Sequence, residues 1–224
     1  MDRLDTFLAA TKSEISLRAL TLHMLEAIAP QLFARRGLAQ VQRLALEACS
    51  TVEYDFEDAD RLEAGVDAWY CRHLKELPHP PPDSELLRAA LGALAADDQL
   101  IYAWLIGEQA ARCGLDVRIR VGKRPFQHLA LTHDAYWLTH LVMLDTDYFA
   151  RPLRHPEASD WADGLAGLVP WLMTTHNDDL AGEVALCLRF MKRDASALLP
   201  RLERAPPTQD AHAQATALLA LSVE

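Results

Sequence analysis

Residues 60–77 read DRLEAGVDAWYCRHLKEL, and in them Leu62, Val66, Trp69, Tyr70, His73, Leu74 and Leu77 recur in steps of three and four. Steps of that size place the apolar residues on one face of a helix, because a turn takes 3.6 residues. The acidic run 53–60 leads into it, where negative charge complements the helix dipole. His79-Pro80-Pro81-Pro82 stops it, since consecutive prolines have no amide hydrogens to donate.

The same punctuation recurs on both sides. An amphipathic stretch over 4–28, broken near 11–13, ends at Pro30, and a second helix over 31–49 carries Gly37 as its weak point. Ser84 is the expected N-cap of a helix over 85–96, and Asp97 or Asp98 that of a helix running to Cys113, which Gly114 closes. Residues 115–121 alternate strictly but have no partner segment, so they read as an extended connector. After Pro125 a helix runs to about Leu144, and 145–156 is irregular. Ser159 or Asp160 opens the next helix, which Pro170 should kink; Asn177 caps another through Met191, and two short helices flank Pro206-Pro207. The sum is an all-α chain of about nine or ten helices in antiparallel hairpins, forming an array or closed into a toroid, with a compact bundle as the alternative. No residue pattern repeats at a fixed period. A single domain over 1–224 is expected, with any subdivision falling near 78–84.

Half of the 224 residues are apolar, enough for a sizeable core, and a quarter are charged. A formal charge of −10 speaks against phosphate-rich partners, whether nucleic acid or an anionic membrane. Arg118, Arg120, Lys123 and Arg124 form the one dense basic cluster, and it is short. Cys49, Cys71, Cys113 and Cys187 are far apart and lie in apolar stretches, which fits buried reduced thiols. The acidic start lacks the features of a signal peptide, and the longest apolar run, 164–173, is too short to span a membrane. A cytoplasmic protein is expected. There is no Gly-rich phosphate loop, no GxSxG and no HExxH.

Candidate chemistry lies in the C-terminal half. Leu131-Thr132-His133 and Leu138-Thr139-His140 repeat a triplet at a spacing of seven, which returns to within ~20° of the same azimuth and ~10 Å further along a helix. Asp145-Thr146-Asp147-Tyr148-Phe149 follows directly. Later, His176, Asp179 and Glu183 fall at i, i+3 and i+7. Imidazoles and carboxylates projecting from facing helices are how helical proteins build acid–base and metal sites. His140, Asp147 and His176 are therefore the candidate catalytic residues, and His133, Tyr136, Trp137 and Tyr148 the candidate substrate contacts. A divalent metal on His140, His176 and Glu183 is one alternative. The other is structural: Asn177 with Asp178 and Asp179 is an ordinary helix start, Thr132 and Thr139 can bond carbonyls one turn back, and the aromatic residues suit a core.

Asn177-Asp178-Asp179…Glu183 resembles the second metal motif of type I terpene synthases, but Ala181 and Ala185 stand where that motif needs polar ligands, which excludes the family. Thr139-His140, Thr146-Asp147-Tyr148 and the 178–184 helix resemble an uncharacterised family of bacterial all-helical proteins sometimes encoded near natural-product genes. The resemblance covers roughly 130–192 and departs after the aromatic residue, where Phe149 stands in place of Gly. It implies an all-helical fold and a biosynthetic setting, and it assigns no reaction. Two functions stay open: an enzyme or enzyme subunit with a His/carboxylate pocket for a small molecule, or a helical module that binds a peptide or protein partner. Convergence of His133, His140, Asp147, His176 and Glu183 in one concavity would favour the first.

Overall fold

The computed structural model describes residues 2–96, 99–118, 131–204 and 210–223. Among them it contains twelve helices and no strand. In order these are α1 (Arg3–Ala10), α2 (Ile15–Ile28), α3 (Pro30–Arg35), α4 (Leu38–Cys49), α5 (Ala59–Leu74), α6 (Ser84–Ala96), α7 (Leu100–Arg112), α8 (Leu131–Asp145), α9 (Ala158–Leu172), α10 (Asp178–Phe190), α11 (Leu199–Arg204) and α12 (Ala211–Ser222).

Local chemistry sets most boundaries. The break after α1 is held by Thr11, whose hydroxyl donates to Phe7 O and accepts from Arg18 Nε. Pro30 both ends α2 and occupies the first turn of α3, where its missing N–H costs nothing. Gly37 adopts φ +62° and splits the expected 31–49 helix into α3 and α4, which is one source of the helices beyond ten. Asp58 caps α5 through the amides of Asp60 and Arg61. Asp83, one residue before the expected Ser84, caps α6 by accepting from the amides of Glu85 and Leu86. Asn177 caps α10, accepting from Leu180 N at 2.9 Å. Gly114 takes φ +92° just beyond α7. Asp97, Asp98 and the basic residues Arg120, Lys123 and Arg124 lie outside the described residues, as does the segment after Pro125 expected to begin α8. The described part of the 115–121 connector is irregular and anchored by Val117, which is buried.

The helices close into a two-layer ring. α2, α5, α7, α8, α10 and α12 each pack against the next, and α12 packs back onto α2. Outside them, α4 lies against α2 and α5, α6 against α7, α9 against α8 and α10, α11 against α10 and α12, and α1 against α12. Successive ring helices joined by a return helix run in the same direction, as in the toroidal closure of antiparallel hairpins. The ring helices are buried on several sides. Residues 180–188 of α10 are all buried, and α12 is alanine-rich where it meets α10. There Gly182 allows close approach: a Cβ on it would lie 2.7 Å from Thr216 Cβ.

Two apolar clusters share the ring. The larger joins α1, α2, α4, α8, α9, α10 and α12; the smaller joins α5, α6 and α7 through residues such as Leu62, Val66, Leu87, Leu91 and Ile106. α5 serves both, with Leu62, Val66 and Trp69 in the smaller cluster and Tyr70 and Cys71 in the larger. Its Glu63 and Asp67 line the space inside the ring. All four cysteines are free thiols, and three of them are buried. No helix among the described residues is long and apolar enough to cross a membrane.

Candidate functional site

The ring encloses a cavity of about 850 Å³. Its lining comes mostly from the first two-thirds of the six ring helices: Ser16 of α2, Asp60, Glu63 and Asp67 of α5, Tyr102 and Leu105 of α7, His133, Tyr136 and His140 of α8, Asp179 and Glu183 of α10, and His212 of α12. The six helix starts thus meet at one end. Residues at those starts, such as Asp60, Gln99, Asp210 and His212, are exposed and form the mouth, whereas Leu105 and Glu183 further along are buried and form the floor.

Three side-chain ladders face one another. Glu63 and Asp67 on α5, Tyr136 and His140 on α8, and Asp179 and Glu183 on α10 are each four residues apart, so each pair spans ~6 Å of helix rise from an upper to a lower tier. The α8 and α10 ladders interlock. Tyr136 donates its phenol hydrogen to Asp179 Oδ2 at 3.0 Å, and Thr139 Oγ1 lies 2.6 Å from Glu183 Oε2. His140 Nδ1 lies 4.0 Å from the same carboxyl oxygen.

His140 Nδ1 contacts the carbonyl oxygen of Tyr136 at 2.7 Å. A carbonyl only accepts, so Nδ1 carries the hydrogen and Nε2 keeps the lone pair. Burial lowers the pKa of this imidazole to about 4, against the smaller opposing effect of the Tyr136 carbonyl. It is a neutral base at neutral pH. Burial acts the other way on the carboxyls. It raises Glu183 well above the usual range, with Asp179 and Glu63 adding repulsion, and it raises Glu63, where Asp67, Asp60 and Asp179 add theirs. Asp67 is pushed up to about 6 by burial although Gln109 donates to it at 2.7 Å, and Asp179 is also raised by burial. The Thr139 hydroxyl has one hydrogen and two oxygens within reach, Glu183 Oε2 and Tyr136 O at 3.0 Å. Thr139 donates to Glu183 at the shorter of the two distances, which offsets part of the rise that burial imposes on this carboxyl.

Of the residues expected from sequence, His133, Tyr136, His140 and Glu183 meet in the cavity, together with Asp179. Asp147 and His176 are not among its lining residues. Asp147 sits beyond the far end of α8, paired with Arg112 at 3.2 Å and Arg151 at 3.1 Å. It opens a run of three left-handed residues, with φ of 47° at Asp147, 54° at Tyr148 and 69° at Phe149. The Thr146 hydroxyl braces the run by accepting from Phe149 N at 2.9 Å. Phe149 therefore stands in the conformation that favours the Gly expected at that position. His176 is exposed in the loop before α10, so the expected metal set His140, His176 and Glu183 does not assemble. Among the described residues no three His, Cys, Asp or Glu side chains are grouped to hold a metal ion.

Trp137 and Tyr148 serve packing rather than the cavity wall. Trp137 lies against Trp104 with ring centroids 4.1 Å apart. Tyr148 is buried, and its hydroxyl accepts from Gln109 Nε2 at 2.9 Å. The same Gln109 nitrogen donates to Asp67, which ties the left-handed turn to the cavity floor. Sequence reasoning missed Glu63, Asp67 and His212. The first two carried a signal, since their spacing of four repeats that of Asp179 and Glu183.

In comparisons with protein-family models, with curated proteins and with solved structures, nothing matches this chain.

Proposed function

We propose that the protein is an enzyme that holds a small molecule inside the helical ring and moves a proton on it. His140 Nε2 is the base and the Glu183 carboxyl the acid. One observation carries the reading: the two side chains meet in the cavity, with His140 Nδ1 4.0 Å from Glu183 Oε2 and the Tyr136 carbonyl on Nδ1 leaving the lone pair on Nε2. Paired titratable groups whose surroundings push their pKa values in opposite directions are the usual mark of acid–base assignment. A cavity of this size is in the range that takes small organic ligands, about 300–1,000 Å³. Tyr136 and Thr139 act as positioning residues, since each bonds a carboxyl of the α10 ladder. The resemblance to proteins encoded near natural-product genes supports a biosynthetic setting.

The peptide-binding alternative needs the same side chains scattered along an outer face. Of the five side chains whose convergence would favour an enzyme, His133, His140 and Glu183 line the cavity and Asp147 and His176 do not; the three that meet there, with Tyr136, support the enzyme reading. Activity-based profiling tests it and works for a substrate of any identity. The purified protein is incubated with a small-molecule extract, and masses consumed and formed are followed. The expected result is turnover by the wild type that falls at least a hundredfold in His140→Gln while the folded state persists. Turnover that survives both His140→Gln and Glu183→Gln would overturn the assignment.

A further inference from the structure

The charge in this cavity is unbalanced. Glu14, Asp60, Glu63, Asp67, Asp179, Glu183 and Asp210 all line it, and among the described residues Arg61 is the single Lys or Arg that does. Arg61 is turned outward into an ion pair with Asp55 at 3.0 Å, and its side chain is 73% exposed. Acidic clusters are common at helix starts, and a cluster alone would mean little. Here two carboxyls keep oxygens that no described residue bonds. Glu63 makes no hydrogen bond and no ion pair among the described residues. The Glu183 side chain is only 9% exposed, and its single hydrogen-bonded oxygen is Oε2, facing Thr139. In addition, Asp179 Oδ1 is buried with no hydrogen-bond partner among the described residues. Unsatisfied acceptors on the α5 and α10 walls of one cavity call for a donor to come from outside.

We infer that the ligand is an organic cation carrying two ammonium groups, a diamine or polyamine, held between the α5 and α10 carboxyl ladders. This rests on the reading of the ring cavity as a small-molecule site. Each ladder sets its two carboxyls ~6 Å apart along the helix. A four-carbon diamine has its nitrogens at a comparable separation, so one ammonium meets the upper tier of Glu63 and Asp179 while the other meets Asp67 and Glu183. Tyr102 and Tyr136 supply aromatic surface for the methylene chain and for cation–π contact. A bare metal ion suits the site less, because the donors are spread across the ring and not grouped for one ion. Burial raises Glu63, Asp67 and Asp179 in the empty site, so a bound cation favours their ionisation and binding releases protons, while Glu183 keeps its hydrogen as the acid.

Isothermal titration calorimetry with the full chain tests the inference. 1,4-Diaminobutane and spermidine are titrated at pH 7.5 in phosphate and again in Tris, with 1,4-butanediol, succinate and calcium chloride as controls. The expected result is binding of the amines at least tenfold tighter than of the diol or succinate. Apparent enthalpies should differ between the two buffers by an amount that reports proton release. Glu63→Gln, which keeps the size of the group and removes its charge, should weaken the amines at least tenfold. Failure of both amines to bind more tightly than the diol would overturn the inference, and so would amine affinity unchanged in Glu63→Gln. Calcium binding without amine binding would overturn it as well. The underlying enzyme reading fails separately, through loss of His140 dependence in the turnover assay. A cavity that turns over a neutral compound would therefore sink the amine and spare the enzyme.

Discussion

Replacing Asp67 by Asn should stabilise the protein, and by an amount that grows with pH. Asp67 is raised in the folded state from its ordinary 3.8 to about 6, chiefly by burial. A carboxyl raised in this way lends stability that is complete below its unfolded pKa and is lost as pH rises through the folded one. At pH 8 the group is ionised in both states, and the full difference weighs against folding. At ~1.36 kcal/mol per pH unit, that is about 3 kcal/mol. At pH 4 the folded group is protonated and the unfolded one about half so, which leaves roughly 0.5 kcal/mol. Asn mimics the protonated acid, and its carbonyl still accepts the hydrogen bond that Gln109 donates. Asp67→Asn should therefore gain about 3 kcal/mol at pH 8 and little at pH 4, before the neighbouring carboxyls relax. For a chain of this length the gain corresponds to roughly 6–12 °C in Tm. Urea denaturation of both proteins at pH 4, 6 and 8 measures it. A difference that is the same at every pH, or a variant less stable at pH 8, would refute the assignment of a raised pKa to this residue.

Other expectations concern the frame. Asn177→Ala removes the acceptor of the Leu180 amide and should cost about 1 kcal/mol in urea denaturation. Gly182→Ala places a methyl against Thr216 where α10 and α12 cross and should cost about 1–3 kcal/mol, with a lower Tm as the readout. At Phe149, whose φ is 69° and whose ring packs 4.9 Å from that of Phe190, both small replacements lose the buried ring. Gly should nonetheless be less damaging than Ala by about 1 kcal/mol, because only Gly relieves the left-handed strain. An Ala variant more stable than the Gly variant would remove strain from the account.

What the sequence made legible was local. The break at 11–13, the cap at Asn177 and the stop at Gly114 each depend on a few neighbouring residues, and each stands where expected. The cap of α6 moved by one residue because Asp83 and Ser84 are both competent and the chain uses the aspartate. His133, Tyr136, His140, Asp179 and Glu183 were legible because helical period fixes which side chains share an azimuth. Asp147 failed for the converse reason: it follows α8 in sequence, but the cavity takes the beginnings of the ring helices and Asp147 lies past the end of one. Glu63, Asp67 and His212 reach the site only through closure of the ring. That closure brings α5 and α12 to α8 and α10 by contacts far apart in the chain, which no local pattern encodes.

The chemistry assigned to His140 and Glu183 follows from where the ring puts them rather than from their being neighbours. In water a glutamate is ionised and a histidine partly protonated at neutral pH, so the same two groups would form a weak ion pair with the proton already on the imidazole. That arrangement is spent: the acid has given up its hydrogen and the base has taken one. Burial on the cavity floor works against both charges, because a low-dielectric site disfavours the charged form of either group. Between a pH of about 4 and the raised pKa of Glu183 the pair is neutral on both sides. The Tyr136 carbonyl then fixes which imidazole nitrogen is free, and the 4.0 Å approach to the carboxyl is made by the other one, Nδ1, so the proton is not simply passed between the pair. A donor and an acceptor held adjacent, both loaded and kept from neutralising each other, can act on a third molecule placed between the ladders. The fold stability lost to the repelling carboxyls is the cost of keeping them in that state, so Asp67→Asn and Glu63→Gln should stabilise the empty ring at pH 8 even as Glu63→Gln weakens its hold on a cation.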